Sequence, residues 1–535
     1  MKFPLCFILL IFGLYSCSQK PDLPKKIIPG KGIRTDFALN FKENFQDVNS
    51  ENSKILDSFY SINSLKPLWL NDSLQLNKDG IEFLYILANA KHYGLDPKKY
   101  SIEEIQELKL SLEQSVKLQV RIQKAVSLEK ILTQSYFIFG KHLNYGVIDS
   151  VELFSTIPRK PFTVNLPDYL RKAYLKDSVI PYLLKLQPEN IYYHKLQKSM
   201  ANYLKSASFS KEKVRVDNYK IDSVKSYEQA KEALVIHGYI SESSNDTSLI
   251  RGLKKFQYDH GLKSDGVIGK YSARALSKSP YEYYQHTVVS LERWRWKPMW
   301  KEDYIYVNIP AYKLRLHLGD TIHEKHNVVV GTYYNRTPEV YSKLSYLVAY
   351  PYWHVPRSIS VKEILVHAKK DSTYITKNNY EIFSKNLDSI SPNSIDWDTI
   401  NDTNFNYYIR QKGGPSNALG LVKFIFANRY SIYLHDTPTK YHFFREIRSY
   451  SHGCIRVQDA INVADNILKY DENEYTIDSV YAYVERREEK LMMLENKIPV
   501  YVHYITCEAD ENGNIIFYPD IYKKDENLIS MFFKE

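Results

Sequence analysis

The stretch DYIYVNIPAYKLRLHL, residues 303–318, alternates apolar and polar side chains over most of its length. Such alternation is typical of a strand with one buried face, because successive side chains point to opposite sides. Similar short runs follow at near-regular spacing: HNVVVGT (326–332), LSYLVAYPYWHVP (344–356), LVKFIFAN (421–428) and SIYLHD (431–436). Regularly spaced short strands predict a β-sandwich or a barrel, here for a domain over residues 300–485.

Residues 357–415 interrupt this strand pattern. SVKEILVHAKKD (360–371) has helical spacing, and the Ser/Asn/Asp-rich stretch after it reads as a loop. A long insertion inside a β domain is often a lid or a binding loop, so we predict a capping insertion. The tail, 486–535, is again strand-like and is expected to return to the same sheet, with a hairpin at DENGN (510–514).

Two regions with helical spacing precede the β domain. Residues 41–210 contain predicted helices within 81–96 and 118–143 and no chemical constellation, so we interpret them as a scaffold. Residues 215–280 combine an apolar helix face with glycine-punctuated turns and a second helix from about residue 270. His260 and Asp265 in this region are candidate metal ligands, and helix capping and turn formation are the interpretation that we favour.

The first residues, MKFPLCFILLIFGLYSCSQK (1–20), combine an early Lys, an apolar run and small residues, which predicts an export signal over 1–17. The apolar run is too short to span a membrane. LYSC (14–17) resembles a bacterial lipobox, which implies lipidation of Cys17; an ordinary cleaved signal is the alternative. Residues 18–40, polar and proline-containing, are predicted to be a tether. We therefore expect a periplasmic protein of the cell envelope, anchored to the outer membrane by lipid.

The composition restricts the class of protein and the redox chemistry. The chain has 535 residues, 44% apolar and 25% charged, which predicts about three folded domains. Its net charge is +10, but no dense Lys/Arg block is present, so nucleic acid is not an expected partner. After loss of the signal and lipidation of Cys17, Cys454 and Cys507 remain as thiols, with a bridge between them as an open alternative. Cys507 lies in a strand pattern and is expected to be a buried core thiol.

SHGCIR, residues 451–456, places Cys454 directly after a histidine and a glycine. A thiol attacks as its thiolate, and a free Cys with a pKa of about 8.5 is mostly protonated at neutral pH. A reactive Cys therefore needs an imidazole within hydrogen-bond reach to take its proton. His435 ends a predicted strand, with fifteen residues between it and Ser451. We predict that His435 is this base and lies across a hairpin from Cys454.

Other residues near the motif are candidates for substrate contact. The turn at Gly453 is predicted to present the N–H groups of Gly453 and Cys454 to an oxyanion. Arg456 could bind a substrate carboxylate in bidentate fashion. Trp353 and Asn417 are further candidates, with core packing and turn formation as their respective alternatives.

Two other interpretations of the motif remain open. His435, His452 and Cys454 could share a metal ion, although no fourth ligand at a fitting spacing is evident. Cys454 could also be a buried structural residue beside unrelated histidines.

The full pattern, His435 followed after fifteen residues by Ser-His-Gly-Cys-Ile-Arg, resembles the signature of the L,D-transpeptidases, cysteine enzymes that cross-link bacterial peptidoglycan. Stretches that resemble the large, multidomain branch are NIPAYKLRL (308–316), RTP (336–338), YPYWHVPRSI (350–359), PSNALGLVKFIF (415–426), YLHDTP (433–438), RWRW (293–296), ANAKHYGLDPKKY (88–100) and LTQSYFIFGKHLNYG (132–146). Residues 215–280 resemble the small three-helix peptidoglycan-binding domain, with Ser272 where Thr is common.

These resemblances imply a multidomain α+β fold with a helical N-terminal scaffold domain, a three-helix peptidoglycan-binding domain and a mainly-β catalytic domain with a capping insertion. They imply Cys454 as nucleophile and His435 as general base, with Ser451, His452 and Gly453 in support, and neither cofactor nor metal. The implied function is formation of 3–3 cross-links through a cysteine thioester with release of terminal D-alanine, by a monomer that binds stem peptides and glycan. An L,D-carboxypeptidase or endopeptidase, and a non-catalytic peptidoglycan-binding anchor, are the alternatives.

Overall fold

The computed structural model describes residues 40, 56, 59–61, 66–149, 156–157, 159, 161–206, 209–298, 300, 303–319 and 322–533. The predicted signal peptide, the lipidation site Cys17 and residues 18–39 of the predicted tether lie outside the described residues. The chain divides into two compact units: Met1–Ala88, Lys98–Ile138 and Asn165–Tyr182 form the first, and Asn89–Pro97, Phe139–Val164 and Leu183–Glu535 form the second.

The first unit is helical. The helices that begin in it are α1 (Lys78–Ala88), α2 (Ile102–Gln114), α3 (Leu118–Tyr145), α4 (Leu166–Leu175) and α5 (Val179–Leu184). Trp69 stacks on Phe83 with ring centroids 4.9 Å apart, and both rings are fully buried. The carboxylate of Glu129 accepts hydrogen bonds from the N–H groups of Leu68 and Trp69, although burial raises its pKa to about 7. The predicted helical character of this region is confirmed.

The second unit begins with further helices. These are α6 (Ile191–Ser206), α7 (Ser223–Ile236), α8 (Asp246–Asp259), α9 (Lys270–Leu276) and α10 (Pro280–Arg295). Asn245 caps α8 by accepting from the Ser248 N–H, and Leu249, Leu253 and Phe256 follow at helical spacing on its buried face. Helices α7, α8 and α9 share a small apolar core of their own. In the described residues no helix is both long and apolar enough to cross a membrane.

The rest of the second unit is mainly β. Its strands are β1 (Tyr304–Asn308), β2 (Lys313–Leu318), β3 (Ile322–Gly331), β4 (Val340–Ala349), β5 (Trp353–His354), β6 (Tyr380–Phe383), β7 (Ser389–Ile390), β8 (Tyr408–Gln411), β9 (Val422–Phe426), β10 (Leu434–His435), β11 (Ser449–Ser451), β12 (Ile455–Val457), β13 (Lys490–Met493), β14 (Pro499–His503), β15 (Cys507–Ala509) and β16 (Ile515–Phe517).

Eight of these described strands close into a ring with the order β3-β12-β10-β9-β4-β14-β1-β2 and back to β3. The long strands β3 and β4 each pair along different parts of their length with different neighbours, which lets the sheet turn on itself. β11 adds to β3 and β13 adds to β4. Apolar side chains from the ring, among them Leu314, Val328 and Phe424, fill one core. The predicted mainly-β, barrel-like domain is confirmed.

The stretch 303–318 is two strands rather than one. β1 and β2 form an antiparallel pair, with Asn308 opposite Lys313. Only β2 alternates between buried and half-buried residues; β1 is buried throughout. The reason is that Ile305 faces the barrel core, whereas Tyr306 packs against Trp300 in a second cluster outside the barrel. The prediction of a single half-buried strand is therefore wrong for β1.

The insertion between β5 and β9 has its own small core. Its helical part is α11 (Arg357–Ile359), a π turn (Ser360–Ile364), α12 (Leu365–Lys370) and α13 (Tyr374–Lys377). The remainder contributes β6, β7 and β8, which form a four-stranded sheet with β5 in the order β5-β8-β6-β7. Ile364, Trp397 and Ile409 are buried in the shared cluster. Helix 360–371 is thus present, but the stretch predicted as a loop contains strands.

After β12 the chain forms α14 (Ala460–Asp471) and α15 (Ile477–Arg486), and it ends with α16 (Asp525–Phe532). β13 and β14 return to the barrel as predicted. β15 and β16 instead pair only with each other among the described strands, in the hairpin predicted at 510–514. Cys507 in β15 is fully buried, as expected.

Candidate active site

The SHGC motif stands at the start of β12, next to the strand that carries His435. β10 and β12 pair in parallel, with Leu434 opposite Ile455 and His435 opposite Arg456. The predicted hairpin between His435 and Cys454 is therefore wrong. The connecting residues 436–454 instead cross over through a 3₁₀ helix (Lys440–Phe444) and β11 before β12 runs parallel to β10.

The register of this pair places the predicted nucleophile and base on the same face of the sheet. Leu434 and Ile455 are fully buried in the barrel core, so their sequence neighbours face the opposite side of the sheet. The Ile455 N–H donates to the Tyr433 carbonyl at 3.0 Å, which sets Tyr433 beside Cys454. The outward face of the ladder consequently carries Tyr433, His435, Cys454 and Arg456.

His435 is held as a neutral imidazole. Its Nδ1 donates to the carbonyl of Asp436 at 2.5 Å, which leaves Nε2 as the acceptor nitrogen. Burial, aided by the nearby charge of Arg456, lowers the pKa of His435 to about 3. The hydrogen bonds of the described residues do not include one between this ring and the Cys454 thiol. Such bonds often tighten only when substrate is bound.

Cys454 is partly exposed and carries a free thiol. Burial raises its pKa, and a hydrogen bond with the Tyr433 side chain acts in the opposite direction. Tyr433 was not predicted as a site residue. Its position two residues before His435 is the signal that could have found it, since strand neighbours at this spacing share a face.

The structure also bears on the alternatives to a nucleophile. Cys454 and Cys507 are both free, so the bridge between them is absent. The part of the chain that the structure describes holds no group of three His, Cys, Asp or Glu side chains arranged for a metal ion. His260 caps α8 and donates from Nδ1 to the Phe256 carbonyl at 2.6 Å, and Asp265 accepts from the Val267 N–H in a turn. Both have the capping and turn contacts of the favoured interpretation.

The turn before Cys454 depends on a glycine and a serine. Gly453 has φ +119°, a backbone conformation that residues other than glycine rarely adopt. Ser451 donates from Oγ to the Cys454 carbonyl at 2.5 Å and accepts from the Gly453 N–H at 3.2 Å. The Gly453 N–H, predicted to serve an oxyanion, is thus engaged by Ser451. The Cys454 N–H has no partner among the described residues.

Thr337 fixes this turn from the β3–β4 connection. Its Oγ1 donates to the Gly453 carbonyl and accepts from the Gly331 N–H, both at 2.8 Å. Tyr522, near the C-terminus, accepts from the Thr337 N–H at 3.0 Å and donates to the Gly331 carbonyl at 2.8 Å. Thr337 belongs to the RTP stretch noted in the sequence, but no role was predicted for it or for Tyr522.

His452 points away from the nucleophile, toward the insertion. Its side chain is 41% exposed, and Nε2 lies 2.5 Å from Oε1 of Glu363 in the π turn. Arg456 is half-buried, with one guanidinium nitrogen 3.3 Å from Nδ1 of His442. Through His452, the SHGC motif is thus in direct contact with the insertion.

The two remaining substrate candidates differ in exposure. Asn417 is fully buried, donates to the Lys412 carbonyl at 2.8 Å and accepts from the Leu419 N–H at 2.7 Å. Its assignment to substrate binding is wrong, because its amide is occupied in forming a turn. Trp353 is half-buried and pairs with Gln411 in the insertion sheet. It keeps a surface open to solvent.

Comparisons with known proteins agree with this architecture. Residues 302–489 match the family model of the L,D-transpeptidase catalytic domain, and residues 54–200 match that of a scaffold domain. A Haemophilus influenzae protein named "Putative L,D-transpeptidase" is 40% identical over 225 residues. The alignment covers 42% of this chain and 45% of that relative, so the chain matches about half the length of the curated relative.

Proposed function

We propose that this chain, whose residues 302–489 match the family model of the L,D-transpeptidase catalytic domain, is a cysteine acyltransferase that forms 3–3 cross-links in peptidoglycan. The observation that carries the proposal is the shared outward face of the β10–β12 ladder. There the partly exposed thiol of Cys454 stands beside Tyr433, two residues along the ladder from the buried imidazole of His435. A nucleophile beside a base whose tautomer is fixed by a third group is the arrangement that acyl transfer needs.

The first half of the reaction acylates the enzyme. Nε2 of His435 takes the Sγ proton of Cys454, and the sulfur attacks the carbonyl carbon of the residue at position three of a stem tetrapeptide. The Cys454 N–H is placed to donate to the oxyanion that forms. When the tetrahedral intermediate collapses, the C–N bond to the terminal D-alanine breaks. The leaving amine takes the proton from the His435 imidazolium.

The second half transfers the acyl group. The side-chain amine of a second stem peptide attacks the thioester, the C–S bond breaks and the amide cross-link forms. His435 accepts the proton lost by that amine and returns it to the departing sulfur of Cys454. Because burial keeps His435 neutral and raises the pKa of Cys454, the resting pair is thiol and imidazole rather than an ion pair.

Intact-mass spectrometry tests the acylation step. Incubation with a stem tetrapeptide, or with a carbapenem, should add one acyl group to Cys454 and, for the peptide, release D-alanine. Cys507→Ala supplies the matched control, since it removes the other free thiol of the described residues and should leave the adduct unchanged. Folded protein that forms no adduct on Cys454 would remove the proposal.

The fate of the thioester decides between the family's possible products. Digestion of sacculi treated with the enzyme should yield 3–3 cross-linked dimers. Tripeptide products without dimers would indicate a carboxypeptidase, and loss of existing cross-links an endopeptidase. Binding to sacculi without any turnover would indicate a peptidoglycan anchor.

The remaining assignments concern location and substrate delivery. We propose that Cys17 carries a lipid that holds the protein in the cell envelope, facing the periplasm, and that residues 215–280 bind the glycan of the wall. The export-type sequence of residues 1–20 supports the first assignment. The three helices α7, α8 and α9 around their own core support the second. Cys17→Ala should release the protein from membranes into the soluble periplasmic fraction.

A further inference from the structure

A cavity of about 280 Å³ lies in the second unit, away from the SHGC turn. Its wall is formed by α6, the residues that follow α7, the end of α8, the start of α10 and the β15–β16 hairpin. The three-helix segment thus supplies only part of the wall. The volume is just below the range of about 300–1,000 Å³ that small-molecule sites occupy.

Flat aromatic rings form one side of this cavity. Phe517 of the hairpin lies 4.7 Å from the ring of Tyr283 and 5.2 Å from that of His260, to which it is nearly parallel. Tyr203 of α6 adds a ring 6.1 Å from Phe517. Rings from three elements therefore converge on the hairpin and give the cavity an apolar wall.

Hydrogen-bond acceptors line the same cavity. The side chain of Asp259 is 11% exposed, and its carboxylate accepts from the Tyr239 hydroxyl at 2.9 Å and from Lys255 at 2.6 Å. A carboxylate has about four acceptor positions, so capacity remains. His260 is more than nine-tenths buried, and its Nε2 has no hydrogen-bond partner among the described residues.

The chemistry of the walls restricts the ligand. Asp259 is already neutralised by Lys255, so a cation gains little. An anion would face a carboxylate, and a purely apolar group would leave buried acceptors without donors. A ring with an apolar face and with hydroxyl or amide donors at its rim can pack on the apolar wall and donate hydrogen bonds to the acceptors. Sugars have these properties.

We propose that this cavity binds one saccharide residue of a glycan chain, and that the site is complete only when the β15–β16 hairpin stands against the three-helix segment. The inference deepens the proposed function, on which it rests for the choice of glycan. The assignment of glycan binding to residues 215–280 alone would then be too narrow. A hairpin of the C-terminal tail supplies part of the recognition surface.

Two glycines agree with an open cavity mouth. Gly238 has φ +75°, and a Cβ built there would meet nothing within 4 Å. Gly513, at the hairpin turn with φ +81°, would place a Cβ with a single neighbour within 4 Å, Oγ of Ser199 at 3.8 Å. Asn514, next to it, is an exposed residue of the cavity lining, so a larger side chain at this position can cover the mouth without entering a core.

Two variants of the full chain test the inference. Asp259→Asn keeps the side-chain shape and an acceptor for Tyr239 but removes the charge. Asn514→Trp occludes the mouth from the hairpin side. Asp246→Asn, at the exposed first turn of the same helix, is the matched control. Binding of a β-1,4-linked N-acetylglucosamine tetramer is measured by calorimetry, and circular dichroism checks that each variant folds.

The saccharide should bind the native chain and Asp246→Asn equally and both cavity variants at least tenfold more weakly. Cys454 acylation by a free tetrapeptide should be the same in all four proteins. Equal saccharide binding by the folded cavity variants, or no saccharide binding by an enzyme that is acylated, would overturn the inference and leave the proposed function intact. If the native chain is not acylated at Cys454 but still binds the saccharide more tightly than the cavity variants do, the proposed function is overturned instead.

Discussion

Two free thiols in the second unit have the same chemistry and opposite surroundings. Cys507, in β15, is fully buried, and its hydrogen-bond partners are Ser290 and Thr287 on α10. Cys454, before β12, is partly exposed beside Tyr433. Burial raises the pKa of both thiols. A perturbed pKa therefore does not separate a nucleophile from a core residue in this protein.

Access and the neighbouring base make the difference. Cys454 has His435 on the same sheet face and a glycine turn that leaves its backbone N–H available. The hydrogen-bond partners of Cys507 are hydroxyl groups of α10, which cannot take its proton at neutral pH. The lesson is that a thiol becomes a candidate nucleophile through a partner that can hold its proton and a path for substrate.

Alkylation by iodoacetamide should show the largest contrast between the two thiols. Cys454 is accessible in the folded state, whereas Cys507 reacts only when the structure around it opens. With an opening free energy of at least about 5 kcal/mol, the two rates should differ by about 5 × 10³-fold or more. Peptide mapping over time measures both rates, and denaturant should abolish the difference. Comparable rates in the folded protein would mean that Cys507 is not protected.

His435→Gln should give the next largest effect. Glutamine can still donate to the Asp436 carbonyl, but it cannot accept the thiol proton, so the acylation rate should fall about 10²- to 10⁴-fold. His442→Gln is the matched control, because His442 contacts Arg456 without lying on the reactive ladder. The acylation rate of His442→Gln should stay within about threefold of the native rate. Equal losses in the two variants would argue against His435 as the specific base.

The sequence predicts Cys454 and His435 as nucleophile and base because the motif is local and its chemistry is explicit. Residue types and spacing are enough for that prediction, but they do not reveal the parallel pairing of the two strands. That pairing depends on β3, which lies more than a hundred residues upstream in the chain and adds to the other side of β12. The double burial of β1 likewise comes from helices outside the barrel, which no alternation within the strand can reveal.

Thr337 shows the same limit and provides a smaller test. It joins Gly331 to the Gly453 turn, and its contact with Gly453 spans 116 residues of sequence. Thr337→Val keeps the shape but leaves a buried N–H and a carbonyl without their partner, which should cost about 2 kcal/mol of unfolding free energy. The loosened turn should lower acylation about tenfold. Thr332→Val, in an exposed turn of the same connection, should change neither quantity appreciably.

The smallest expected effect is a shift in pH dependence. Arg456 is the second cause, after burial, of the low pKa of His435, and Lys423 acts in the same direction. In the proposed mechanism the neutral imidazole of His435 is the active form, so protonation of His435 at acid pH inactivates the enzyme. Because the pKa of His435 is low, this loss of activity should occur far below pH 6.5. Arg456→Gln removes one charge and should raise the acid limb of kcat/KM by up to about one unit. Arg445→Gln, whose charge acts on His442, should leave the limb in place. An acid limb that moves downward or stays fixed in Arg456→Gln would show that His435 does not titrate as the catalytic base.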